Sequence, residues 1–208
     1  MRPARASAPA TKGVRIRFPR WYDMLNRLHF LGREDQFRER CVELAGIAPG
    51  QTVLDVGCGT GNLTMVARAR AAADGEVHGN DAAHEMIREA QRKAAEENLD
   101  IQYQVGLIEE IPYPDDKFDV VLSSLMLHHL PKDLKRRGIA EISRVLKQGG
   151  RFFAVDVDPP LMGNLRTVEE AMKVNGLVDI RRGRMKFRTL WIPIHYLTGT
   201  TNPQRLSS

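Results

Sequence analysis

The chain has 208 residues, of which 42% are apolar and 27% charged, with a net charge of +5. That size and composition suit one compact domain with an ordinary core, and the absence of any eighteen-residue apolar run excludes a transmembrane helix. Only Cys41 and Cys58 are present, too few for a disulfide framework or a zinc cage, so a soluble protein in a reducing, cytoplasmic setting is expected.

The charge is unevenly distributed. Arg2, Arg5, Lys12, Arg15, Arg17 and Arg20 all precede the first acid, Asp23, and no acid follows Asp179, beyond which stand Arg181, Arg182, Arg184, Lys186 and Arg188. Exposed cations sum their fields over a Debye length of roughly 8 Å at physiological salt. The plain reading is a solvated tail and a solvated strand face. The functional one is peripheral contact with an anionic membrane, ahead of nucleic acid.

Residues 1–19 combine Pro, Ala, Ser and Arg without hydrophobic periodicity, which predicts a disordered basic extension. The composition also fits an organellar targeting peptide, but the amphipathic pattern of one is missing. Residues 20–208 read as a single domain opened by helices. Phe37, Cys41, Leu44 and Ala45 mark one helical stripe that stops near Gly46, and Pro49-Gly50 forms a turn. Val53–Val56 then reads as a buried strand, Leu63 to about Ala73 as a helix and Val77–Gly79 as a strand. Met86, Ile87, Ala90 and Ala94 form the inner stripe of the next helix, and Ile101–Val105 and Phe118–Ser123 are further strands. Ile139, Ile142, Val145 and Leu146 mark a helix expected to begin after Gly138, since an interior glycine costs about 1 kcal/mol relative to alanine. Gly149 and Gly150 end it before strand Arg151–Val157.

This alternation requires right-handed crossovers, hence an α/β fold with helices on both faces of a doubly wound, mainly parallel sheet. A short helix over Thr167–Val174 and strands over Leu177–Arg182 and Phe187–Leu197, turning near Gly183, suggest a closing hairpin with an antiparallel strand.

Val53-Leu54-Asp55-Val56-Gly57-Cys58-Gly59-Thr60-Gly61 carries most of the functional information. A strand leads into three alternate glycines and a helix follows, which places bare backbone against a ligand. Asp81 ends the next strand, where a carboxylate accepts hydrogen bonds from the two hydroxyls of a ribose. The spacing differs from the G-x-G-x-x-G of dinucleotide sites, and Asp55 at the strand end disfavours a pyrophosphate. A nucleoside bearing a cationic amino group fits better.

The loop Asp55–Gly61, Asp81, Ile111-Pro112-Tyr113-Pro114 before Phe118-Asp119-Val120-Val121, and Arg144-Val145-Leu146-Lys147-Gln148-Gly149-Gly150 together resemble the class I S-adenosylmethionine (SAM)-dependent methyltransferases. The resemblance is nearest to the branch of quinone-biosynthesis and small-molecule enzymes, and it spans about Tyr22 to Val157. It implies a Rossmann-like seven-stranded sheet with an antiparallel C-terminal strand, and SAM as cofactor. It also implies that Gly57, Cys58, Gly59 and Gly61 approach the methionine portion, that Asp55 reaches its amino group and that Asp81 binds the ribose. Asn80, Ala82, Ser123 and Leu125 complete the cofactor set. Where relatives often carry an acid for the adenine amino group, this chain has Leu107 and Ile108, which can only pack on the ring.

Methyl transfer from a sulfonium needs alignment above all, and a base only where the nucleophile must lose a proton. His128, after the fourth strand, is the expected base, with capping of its loop as the plainer role and His129 expected to point elsewhere. Tyr22 is the second catalytic candidate, as part of a lid helix over the cofactor, and Met24, Leu28 and Phe30 line an acceptor pocket or the core. The short Asp158–Gly176 region implies an open pocket, reachable by a quinone-like or lipid acceptor, with Trp191 and Tyr196 beside the basic strand near a membrane. A dehydrogenase, a noncatalytic SAM-binding module and an RNA methyltransferase are the competing readings. Asp158-Pro159-Pro160-Leu161 stands after the fifth strand instead of the fourth and reads as a turn.

Overall fold

The computed structural model describes residues 13, 18–157, 164–186 and 193–203. The expected basic extension, the Asp158–Leu161 turn, Trp191 and the start of the last expected strand therefore lie largely or wholly outside the described residues. Two helices open the described chain, α1 (Pro19–His29) and α2 (Glu34–Ala45). They are followed by β1 (Thr52–Val56), α3 (Asn62–Ala71), β2 (Glu76–Asp81), α4 (His84–Glu96), β3 (Gln102–Val105) and β4 (Phe118–Ser124). A 3-10 turn at Leu127–His129 leads into α5 (Lys132–Val145), β5 (Leu146–Val157), α6 (Asn164–Val174), β6 (Leu177–Arg184) and β7 (Ile194–Thr201). No described helix is long and apolar enough to cross a membrane.

The strands form one seven-stranded sheet in the order β3-β2-β1-β4-β5-β7-β6. β7 alone runs antiparallel, against both β5 and β6. The mainly parallel sheet with an antiparallel C-terminal strand is thus as the sequence implies. Alternate strand residues divide between two cores. Leu54, Val56, Val121, Phe152 and Ala154 pack with α5 and α6, while Val53, Val120, Leu122, Phe153 and Val155 pack with α2 and α3. Burial on both faces explains why these strands read as near-continuous apolar runs. The order reverses between β1 and β4, and crevices in open parallel sheets form outside the strand carboxyl ends at such a reversal.

Three expectations on the elements need correction. α5 begins at Lys132 and runs through Gly138, whose interior place has a packing reason: a Cβ there would stand 2.6 Å from Cγ1 of Ile108. Gly183 is not a hairpin turn but lies within β6, paired with Tyr196, whose ring crosses the space a side chain at 183 would fill. Tyr196 packs on the sheet beside Phe153, with ring centroids 6.1 Å apart, and is half-buried in a cavity that it shares with Arg40, Arg184 and Lys186. Met24 and Leu28 are exposed on α1, and only Phe30 turns inward, stacked on Phe37 at 4.3 Å.

Two of the sequence motifs prove to be one joint. From α5, Arg144 donates to the Ile111 carbonyl (2.9 Å) and the Tyr113 carbonyl (2.8 Å), and pairs with Glu141 and Asp115 at 2.7 Å each. Glu141 in turn accepts from the Ile111 amide at 2.9 Å. The loop between β3 and β4 is thereby clamped to α5, beside Leu107 and Ile108.

Candidate cofactor and acceptor site

β1 delivers its chain into the glycine loop, where Gly57, Gly59 and Gly61 have φ of 72°, 55° and 78°. In this left-handed region a side chain is strained. The amides of Gly57 and Cys58 both donate to the Asn80 carbonyl, at 2.8 and 3.0 Å, which ties the loop to the end of β2. There Asp81 accepts from the amides of Gly59 (3.0 Å) and Ala83 (2.8 Å), one on each carboxylate oxygen. Burial raises its pKa, and the two amide bonds partly offset this. Each oxygen keeps a free lone pair, so Asp81 presents a fixed two-point acceptor at the carboxyl end of the sheet.

Asp55, only 1% exposed, faces α3 and accepts from the Thr64 hydroxyl at 2.7 Å. Burial pushes its pKa up to about 7, the Thr64 bond opposing and the charge of Asp81 adding to the rise. Burial likewise raises Tyr22 to about 12 and Cys58 well above the usual thiol range. Both stay protonated at neutral pH, so Cys58 is no nucleophile.

Two adjoining cavities share Tyr22, Gly57 and Leu125. The first is also lined by Gly59, Asn80, Asp81, Ala82, Leu107 and Ile108, all of them cofactor residues expected from the sequence, and by Met86, Glu109, Met126, His129 and Leu130. The second holds Asp55 and Cys58 with Asn26, Phe30, Glu34, Phe37 and Arg38. Gly61 borders neither. It is the N-cap of α3, and a side chain there would strike the Tyr103 hydroxyl and stand 2.9 Å from Cβ of Ala90. Ser123 is buried on β4 outside both linings. The two glycines nearest the cavities have close covers: a Cβ on Gly57 would collide with Met126, and one on Gly59 would lie 3.4 Å from the Tyr22 ring.

The histidines are arranged differently from expectation. His129, not His128, is on the first cavity's wall. His128 turns to the end of β5, where its Nδ1 is 2.6 Å and its amide nitrogen 2.9 Å from the Asp156 carboxylate. The two rings stay in contact, with centroids 3.8 Å apart. Burial, together with the neighbouring His128, lowers the pKa of His129. Leu125, just before them, has a φ of 51°. For a non-glycine residue this costs about 1–2 kcal/mol, and it turns the chain from β4 over the cavity.

The sequence reading missed a latch on α1. Asp23 accepts from Thr60 (2.7 Å) and Asn62 (3.0 Å) of the loop and pairs with Lys93 of α4 at 2.7 Å, while Lys93 also donates to Asn62 at 2.9 Å. Nothing in the local pattern around Asp23 announces a partner seventy residues away.

The residues fit a ribonucleoside with a cationic amino-acid tail. Besides the Asp81 carboxylate, both side-chain atoms of Asn80 are buried at the cavity without a hydrogen-bond partner, and so is the Ser123 hydroxyl nearby. Buried polar atoms left unpaired cost about 1–3 kcal/mol each, a penalty that a polar ligand relieves. Leu107 and Ile108 offer flat apolar walls for a base, and Asp55 and Arg38 stand in the cavity beyond Gly57.

The comparisons with known proteins agree. Residues 53–150 match the family model described as a methyltransferase domain. The chain is 33% identical over 147 residues to the demethylmenaquinone methyltransferase of Symbiobacterium thermophilum, covering 70% of this chain and 58% of that one. It is 32% identical over 146 residues to the ubiquinone/menaquinone biosynthesis C-methyltransferase UbiE of Hydrogenovibrio crunogenus, covering 68% and 57%. It thus spans somewhat under three-fifths of the length of these two curated relatives. Among solved structures, a SAM-dependent methyltransferase from Aquifex aeolicus superposes with a TM-score of 0.68 at 21% identity, over 88% of this chain and 98% of that one. A geranyl diphosphate methyltransferase in complex with GPP and sinefungin gives 0.69 at 18% identity, over 80% and 78%. With its glycine loop, its Asp81 anchor and this sheet order, the chain belongs to the class I SAM-dependent methyltransferase family.

Proposed function

We propose that this chain transfers a methyl group from SAM to an apolar, quinone-like or lipid acceptor, in the cytoplasm at a membrane surface. The observation that carries the reading is the Asp81 carboxylate, pinned by the glycine loop at the mouth of a cavity that continues past Gly57 to Asp55. When bound, SAM supplies a methyl group activated on a sulfonium sulfur.

The chain's own residues divide the remaining work. Asp81 would accept from both ribose hydroxyls, Asn80 would pair with polar atoms of the nucleoside, and Leu107 and Ile108 would pack on the base. Asp55 would hold the amino group and Arg38 the carboxylate. Tyr22 and Met126 cover the glycine loop from two sides and exclude water, which keeps the reacting groups aligned in a dry pocket. Leu125, Met126 and Leu130 make the acceptor's side apolar.

His129 is the base in this reading. It stands on the cavity wall, and its lowered pKa leaves the imidazole neutral at pH 7, able to take a proton from a phenol-like acceptor. His128, oriented by Asp156, is a positioning residue whose ring lies tilted against it. The relatives named for demethylmenaquinone and ubiquinone/menaquinone biosynthesis support an acceptor of that chemical class, and the exposed Arg181, Arg182 and Arg184 of β6 support an anionic surface nearby.

Incubation with methyl-labelled SAM and fractionated extract tests the reading. Label is expected in the quinone or lipid fraction. Label in RNA, or in no fraction, overturns it. Asp81→Ala is expected to weaken SAM binding about ten- to a hundredfold, the worth of charge-assisted hydrogen bonds, and an unchanged titration would remove Asp81 from the cofactor site.

A further inference from the structure

α1 has two unlike faces. Its inner arc places Tyr22 over Gly59, Asn26 and Phe30 in the second cavity, and Asp23 in the latch with Lys93. Its outer arc is apolar and bare: Phe18, Trp21, Met24, Leu25, Leu28 and, just past its end, Leu31 are each 43–70% exposed. At 100° per residue the first five fall within an arc of about 120°, the width of an apolar helical stripe that ordinarily faces a core. No other described element carries a comparable exposed set; the remaining large exposed apolar residues among those described are Val174 and Val178.

Charge decides what covers this face. The one acid in α1, Asp23, is turned inward and neutralised by Lys93. Arg27 is exposed, and the twenty residues up to Arg20 hold six cations and no acid. Against a second copy of itself such a segment is repelled by its own charge. Against an anionic lipid surface the apolar arc and the cations act together.

We propose that the outer face of α1 docks this protein onto an anionic lipid bilayer, inserting Trp21, Leu25 and Leu28 into the headgroup boundary. The inner face of the same helix roofs the glycine loop, so docking brings the roof of the site against the bilayer. The proposal is independent of the acceptor assignment, since lipid binding is read without any methyl transfer.

The test is co-sedimentation of the full chain with phosphatidylcholine vesicles, with and without phosphatidylglycerol, at low and high salt. Wild type is expected to bind the anionic vesicles at least about tenfold more tightly than the neutral ones, and less tightly as salt rises. The triple variant Trp21→Ser, Leu25→Ser, Leu28→Ser is expected to bind them at least about tenfold more weakly at every salt concentration while titrating SAM normally. As a check that needs no altered α1, fluorescence of Trp21 in a Trp191→Phe background should shift to the blue and be quenched by brominated acyl chains. Equal binding by the triple variant, a Trp21 signal unmoved by vesicles, or a dimer lost in the triple variant without vesicle binding would each overturn the proposal.

Discussion

Asp55 and Asp81 are both carboxylates at strand ends, yet the structure gives them unlike surroundings. Asp81 is held by two amides at the cavity mouth, whereas Asp55 is buried against Thr64 and titrates near 7. Because the folded value lies above the ordinary 3.8, the folded chain keeps a proton that the unfolded chain has lost. The stability contributed by neutral Asp55 is therefore complete below pH 3.8, declines as pH rises and is gone above about 7. Binding of a cationic amino group runs the other way, since it needs the carboxylate. SAM affinity should rise about tenfold between pH 6 and 8, tracking the ionised fraction, and the rise should vanish in Asp55→Asn. Calorimetric titration across that range checks this; a flat wild-type profile would separate Asp55 from the ligand. The glycines and Asp81 were legible because loop conformation and strand-end position are local properties. The histidine roles were not. Adjacent residues in a 3-10 turn point about 120° apart, and which of them faces the cavity was decided by Asp156, twenty-eight residues beyond His128.

Among the elements, α1 is the piece whose attachment is least built from apolar contact. Its hold on the site rests on Phe30, on Tyr22 and on the four-residue network around Asp23. Lys93→Met removes the cation of that network while keeping its length. Hydrogen exchange of the α1 amides is expected to speed up about tenfold, corresponding to about 1.4 kcal/mol of local opening. SAM should bind several-fold more weakly, and the melting temperature should move by no more than about 2–4 °C. Exchange unchanged in α1 would show that the latch does not hold this helix in place. Gly138 teaches the complementary lesson. Its intrinsic cost argued for a later helix start, but close contact with Ile108 requires the missing side chain, and packing outweighs about 1 kcal/mol of propensity. Arg144 was recognised only as part of a pattern; its carbonyl contacts at Ile111 and Tyr113 supply the physical reason for the pattern.

At the scale of the molecule, the sheet is covered on both faces, and Phe152 at the centre of β5 is wholly buried between β4 and β7. Phe152→Ala should cost about 3–5 kcal/mol through lost burial and the cavity left behind, lowering the melting temperature by roughly 10 °C or more. Denaturant unfolding measures it directly, and a loss under 1 kcal/mol would contradict the central packing assigned to this ring. The alternation of strand and helix, the glycine bend and the acid that ends β2 were determined by the sequence alone, because period, turn chemistry and crossover handedness act over a few residues or a single unit. Only the tertiary structure decided that His129 reaches the cavity, that Asp23 finds Lys93 and that the outer face of α1 has no described partner. Those outcomes depend on which distant groups the folded chain brings within bonding distance, and no local pattern records that.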